Sequence, residues 1–210
     1  MGDPLLSSID AFASSWWEIE RERRFQAFWN RMLTDREKLI DEVIRSDTFC
    51  RRLVAAYQSV QRTIEDEKVL LFADLLKNGT LSDDALKDDE YAELARIVDD
   101  LSVREFIALC IVEKWNAYME DITAGWTHDV PMALQMHGQK LFEELSRQLK
   151  VDGAEADAIL ARLVRTGCYQ RGSDIFGRLT AFWFKLRKYV EGPEIEKIDF
   201  GRTSMGATRL

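Results

Sequence analysis

A single stretch, Leu160 to Thr180, breaks a helical rhythm that runs through nearly all of this chain. Its sequence, LARLVRTGCYQRGSDIFGRLT, opens as an amphipathic helix and stops at Gly167, a residue type that readily takes the left-handed conformation ending a helix. Cys168 to Arg171 then reads as a short strand, Gly172-Ser173-Asp174 as a turn, and Ile175 to Leu179 as a second strand. A new helix starts near Thr180. The local order is helix, hairpin, helix, and nothing else of any size in the sequence departs from helix.

Elsewhere apolar residues recur three and four apart, the spacing of one helical face. Phe25, Phe28, Trp29, Met32 and Leu33 form such a stripe on a first helix, with Ser7 or Ser8 as its expected cap. Thr34-Asp35-Arg36-Glu37 has the form of a capping box and predicts a short helix carrying Leu39, Ile40, Val43 and Ile44. Asp47 is the expected cap of the next, with Phe49, Leu53, Ala56, Val60 and Ile64 inward. Glu65 to Lys77, bearing Val69, Phe72, Ala73 and Leu76, is expected to end at Asn78-Gly79. Tyr91 to Leu101 is another helix, with Leu94, Ile97, Val98 and Leu101 inward. Ser102 to Glu105 is a second capping box, ahead of a long helix with Phe106, Cys110, Ala117 and Ile122 inward, closed by Gly125. Pro131 suits the first turn of a helix reaching about Lys150, with Leu134, Leu141, Phe142, Leu145 and Leu149 inward. Asp152-x-x-Glu155 begins the helix that stops at Gly167, and Ala181 to Val190 is the last, stopped by Gly192-Pro193.

The implied fold class is mainly α: a multi-helix body with a C-terminal winged-helix-like part. The polar break from Gly125 to Pro131 sets the expected division: a helical body over 1–126, the winged-helix-like part over 127–192, and a mobile tail over 193–210. The three cysteines, Cys50, Cys110 and Cys168, are far apart and form no CxxC pair, and no secretory signal opens the chain. The expectation is a reduced, cytoplasmic protein. The longest apolar runs, such as Phe106 to Val112, span about seven residues where a membrane helix needs about twenty, so no membrane partner is expected.

Chemistry is hard to find. His128 and His137 stand nine apart and share no i, i+4 face, so with Glu120 and Asp121 they make a poor metal set. No glycine-rich phosphate loop and no nucleophile elbow occurs. Cys50 and Cys110 lie on apolar faces and read as core. Adjacent acids such as Asp83-Asp84, Asp88-Asp89-Glu90 and Asp99-Asp100 point about 100° apart on a helix and read as helix-start charge or a solvated face. Trp29, Trp115, Trp126 and Trp183 read as core. Trp16 and Trp17 cannot both face one core, so one of them is expected on another element or a partner. No catalytic residue, metal or cofactor is expected.

Charge carries the remaining signal. The chain is −8 overall, yet Asp83 to Glu105 holds nine acids against three bases. Arg162, Arg165, Arg171, Arg178, Lys185, Arg187 and Lys188 are opposed in their own stretch only by Asp174. These seven are the candidate contact residues for a nucleic acid or a partner. In a winged helix, Ala154 to Thr166 would lie in the DNA groove, with Ile159, Leu160, Leu163 and Val164 inward and Arg162 and Arg165 outward. The acid/base split also predicts head-to-tail or dimer contacts between copies.

Two resemblances bear on function. Leu163-Val164-Arg165-Thr166-Gly167, then Arg171, then Leu179-Thr180, resembles the end of a MarR-type winged helix over about thirty residues. Glu65-Asp66-Glu67-Lys68 with Phe72 to Leu76, then Ile97 to Ser102 with Glu105, then Leu163 to Gly167 and Leu179-Thr180-x-Phe182, is similar in order to the abortive-infection alpha (Abi-alpha) type of bacterial proteins. That resemblance implies a bacterial cytosolic protein tied to phage defence, and it brings no catalytic residues with it. The leading expectation is a non-enzymatic interaction protein in a defence or stress system, acting on protein partners or copies of itself. A winged-helix DNA-binding regulator is the alternative, and a helical metal-dependent hydrolase the second.

Overall fold

The computed structural model describes residues 4–34, 39, 41–123, 130–171 and 177–192, with side chains over 15–34, 39, 43–121, 138–171 and 177–192. The fold is mainly helical, as expected. The helices are α1 (Pro4–Met32), α2 (Asp41–Ile44), α3 (Asp47–Arg62), α4 (Asp66–Leu81), α5 (Asp88–Asp100), α6 (Val103–Thr123), α7 (Val130–Leu149), α8 (Gly153–Leu163) and α9 (Ala181–Tyr189). A short hairpin, β1 (Tyr169–Gln170) and β2 (Arg178–Leu179), lies between α8 and α9. No described helix is long and apolar enough to cross a membrane.

The chain divides into two compact units: Met1–Ser102 with Leu186–Glu191, and Val103–Lys185 with Gly192–Leu210. This differs from the division expected at 126/127. The physical reason is α6, which packs against α7, α8 and β2 and so belongs with those later elements.

In the first unit α4 is the hub. Its sequence is apolar on every side, and Val69, Leu71, Phe72, Ala73, Leu75 and Leu76 are all buried. Asp66 and Glu67 at its start are exposed, but further along little outer face is left for a charge, and Lys68, Asp74 and Lys77 are buried too. The helix runs to Leu81, past the expected stop at Asn78-Gly79. Gly79 is there for space: a Cβ on it would lie 2.9 Å from Leu86 Cδ1. α1 lies parallel to α4, since Arg23 meets Asp66 and, one step of eight residues on, Arg31 meets Asp74.

Buried cations finish the helix ends. The last carbonyls of a helix have no partner within it and carry partial negative charge. Arg24 Nη1 donates to Thr63 O at the end of α3 (2.5 Å), and Lys68 Nζ donates to Asp99 O at the end of α5 (2.5 Å). Arg52 Nη1 donates to Gly79 O in the last turn of α4 (2.9 Å), and its Nη2 to Leu86 O beyond it (2.6 Å). Arg52 also grips Asp88 at the start of α5, and its guanidinium carbon stands 4.8 Å from the centre of the Tyr91 ring.

Several local expectations change. Ser7 and Ser8 lie inside α1, which starts at Pro4, a residue suited to a first turn. Ser46, not Asp47, caps α3, its hydroxyl accepting from Phe49 N (3.2 Å). Arg52 and Ser59 take buried places on α3, while Ile64 is exposed beyond its end. α2 spans only Asp41–Ile44; Asp35, Arg36 and Glu37 of the expected capping box lie outside the described residues. Leu94, Ile97, Val98 and Leu101 are buried as expected.

In the second unit α6 is the hub, with Phe106, Ala108, Leu109, Cys110, Ile111 and Val112 buried; Ala117 is exposed instead. α7 ends at Leu149 because Lys150 turns left-handed (φ 54°) and Val151 N reaches back to Ser146 O (3.1 Å). Asp152 caps α8 through Glu155 N (2.8 Å). A 3-10 turn over Val164–Thr166 leads to Gly167 at φ 73°, the expected stop. Val164, expected inward, is exposed on that turn. In the hairpin Tyr169 pairs with Leu179 and Gln170 with Arg178, antiparallel. Gly172, Ser173, Asp174, Ile175 and Phe176 lie outside the described residues, as do Gly125 to Asp129 and 193–210.

Arg52 gives the sharpest test of the helix-end arrangement. Arg52→Met leaves the Leu86 carbonyl without its donor, removes one of the two donors to Gly79 O, which keeps Leu86 N (2.9 Å), and should lower unfolding free energy by about 2 kcal/mol in urea titration. Arg51→Met, next door but exposed, should move it by less than about 0.5 kcal/mol.

Candidate interaction surfaces

Most of the seven basic candidates are engaged within the chain. Arg162 to Lys185 fall in the second unit, and Arg187 and Lys188 in the first. For Arg162, Arg165 and Lys188 the counter-charge comes from an element more than fifty residues away in sequence. Glu105, buried in the first turn of α6, accepts from Arg162 Nε (3.2 Å) and from Arg165 Nη2 (3.2 Å). Arg171 pairs with Asp157 (3.0 Å). Lys188 pairs with Asp84, and Arg187 Nη1 donates to Val190 O (2.8 Å). Lys185 is half-buried. Arg178 is exposed with no ion pair among the described residues, and the terminal nitrogens of Arg162 point to no described partner.

The acidic stretch is used in the same way. Asp88, Asp89 and Glu90 stand in the first turn of α5, where the helix start favours negative charge. The guanidiniums of Arg52 and Arg51 hold the Asp88 carboxyl below the usual range. The charge split expected to join separate copies is therefore largely satisfied inside one chain.

On α8 the exposed positions at the start and middle are Gly153, Ala154, Glu155, Ala158 and Ala161. Glu155 is engaged by Arg104 (3.2 Å). A groove-reading helix meets bases mainly through its N-terminal residues, and these alanines offer no donor or acceptor. The hairpin is built tightly: Gly177 N donates to Tyr169 Oη (2.9 Å), and a Cβ on Gly177 would fall 2.3 Å from Gln170 O.

Asp74 is fully buried on α4. It accepts from Arg31 Nε (2.6 Å) and Nη2 (3.0 Å) and from Glu191 N (3.0 Å). Burial pushes its carboxyl above the usual range, and the Arg31 hydrogen bonds pull the other way. Arg31 also grips the Glu191 carboxylate. The arrangement is structural: both acceptor oxygens are filled by fixed donors.

Among the described residues no group of three or more His, Cys, Asp or Glu stands together. Glu120 and Asp121 are exposed on α6; His128 and the His137 side chain lie outside the described residues. Cys50, expected in the core, is exposed; Cys110 and Cys168 are buried, and burial pushes the Cys168 thiol up to about 11. Trp115 and Trp183 are core residues, Trp183 edge-on to Phe106 at 5.3 Å between ring centres.

Trp16 and Trp17 behave otherwise. They are 50% and 46% exposed, and Ile19 beside them is 63% exposed. Trp17 stands seven residues before Arg24 and eleven before Phe28, on the same stripe as those buried residues. The stripe runs on past the place where α4 begins, because Arg23 already faces Asp66, the first residue of α4. Trp17 thus extends a core-facing line beyond the helix that covers it, with Trp16 exposed beside it.

No family model matches this chain, and no curated protein or solved structure is significantly similar to it.

Glu105→Ala should cost about 1–3 kcal/mol in urea denaturation, since it removes the shared acceptor of two charged donors that keep partial access to water. Glu105→Gln, which keeps one acceptor oxygen, should fall between.

Proposed function

We propose that this chain is a non-enzymatic interaction protein that offers surfaces to protein partners or to copies of itself. One observation carries the reading: Trp16 and Trp17 are both exposed on α1, and Trp17 continues the stripe whose later members, Arg24 and Phe28, are buried. Adjacent exposed indoles with an exposed isoleucine are costly in water and are typical of contact sites. Phage defence is the setting that the Abi-alpha resemblance implies for such a protein, and a stress system is the other setting proposed.

The test is association in sedimentation velocity at micromolar concentration. The expected result is concentration-dependent self-association, or co-purification with one defined partner, abolished in Trp16→Glu/Trp17→Glu without a fall in melting temperature. The association should be nearly indifferent to salt, because the acids and bases of the segregated stretches are engaged within the chain. A wild-type protein that stays monomeric and partnerless defeats the reading.

Arg178 and the uncommitted terminal nitrogens of Arg162 favour a second reading, the winged-helix DNA-binding regulator. Titration with random duplex at low salt checks it. Binding should weaken with added salt and with Arg162→Ala/Arg178→Ala, and each phosphate left without its arginine should lower the salt slope by about one. No binding at tens of micromolar defeats it.

A further inference from the structure

We infer that two copies of this chain exchange the segment Leu186–Glu191, each supplying it to the first unit of the other, to form a closed dimer. This rests on the reading above, that the chain works through self-association, and it names a different surface and partner: a second copy, at α4.

The segment is a guest where it sits. Leu186–Glu191 belongs to the first unit, while the residues on both sides of it belong to the second. Leu186, Tyr189 and Val190 are buried there. The first unit holds the segment by its main chain as much as by its side chains. Asn78 Nδ2 donates to Tyr189 O (2.9 Å), and Glu191 N donates to Asp74 (3.0 Å). Tyr189 Oη donates to Asp84 O (2.9 Å), Lys188 pairs with Asp84, and Arg31 grips Glu191. Backbone recognition of this kind is how a cleft holds a peptide.

If the segment leaves with the second unit, the only covalent tie between the two bodies is Leu101–Ser102, the two non-helical residues between α5 and α6. Every interaction of the closed chain then re-forms between copies, so exchange adds none and removes none, and reciprocal exchange closes with two-fold symmetry. A connection this short is the kind that favours exchange over folding back.

The experiment uses full chains in a Trp16→Glu/Trp17→Glu background, so that association through the indoles cannot report. One variant keeps the segment and loses the cleft, Asp74→Ala/Asn78→Ala. The other keeps the cleft and loses the segment, Tyr189→Ala/Glu191→Ala. Refolded together from urea at tens of micromolar, they should give at least tenfold more dimer by light scattering than either refolded alone. A mixture that scatters as monomers overturns the inference. Should either variant fail to refold, the background protein labelled on exposed Cys50 with donor or acceptor is refolded as a mixture; energy transfer in a dimer fraction supports exchange, and its absence overturns it. Because the indoles are gone throughout, failure here is separate from failure of the indole surface.

Discussion

A positive side chain buried against the carboxyl end of a neighbouring helix is the interaction on which the first unit depends. Each helix leaves its last carbonyls unpaired, and inside a packed bundle water cannot reach all of them. Arg24, Arg52 and Lys68 bring donors to the ends of α3, α4 and α5. Without them Thr63 O, Leu86 O and Asp99 O would each lose a donor, a cost of about 1–3 kcal/mol for each stranded group. The same interactions set how the helices lie, because each cation begins on one helix and ends on another. Arg52 shows the economy of the device: one guanidinium closes α4, steadies the turn at Leu86 and meets the acid that starts α5.

The second unit uses the opposite sign for the same purpose. Glu105 is buried at the start of α6, and the arginines it holds come from the end of α8 and the turn after it. Acid at a helix start and base near a helix end are each favourable alone, and here they are one contact. Charge that looks segregated along the sequence is thus interleaved in space, which removes the simplest route to charge-driven assembly and leaves apolar surface as the better candidate.

The helical spacing makes the fold class legible, and glycine and capping residues place the end of α8 and the start of the hairpin. Sequence and structure part where one residue type serves two physical ends. Gly79 reads as a stop because glycine ends helices, yet its role is to let Leu86 approach. Cys50 reads as core because its neighbours are apolar, yet it stands at the rim of its helix. The candidate surface is half legible: two adjacent tryptophans cannot share one core, but that Trp17 stays exposed as well depends on where α4 begins. Asp74 and Lys77 do carry a signal, since a helix apolar on all sides has little outer face for a charge. The shared partner of Arg162 and Arg165 is not legible at all, because Glu105 lies 57 and 60 residues from them.

The hairpin has two residues in each strand, too few for its ladder alone to hold alignment. Alignment comes instead from the phenol of Tyr169 lying over a residue without a side chain, Gly177. A slip by one position would send every strand side chain to the opposite face and set Arg178 beneath the ring, where a β-carbon cannot fit. The hairpin is therefore keyed like a lock with a single notch: it seats one way or not at all.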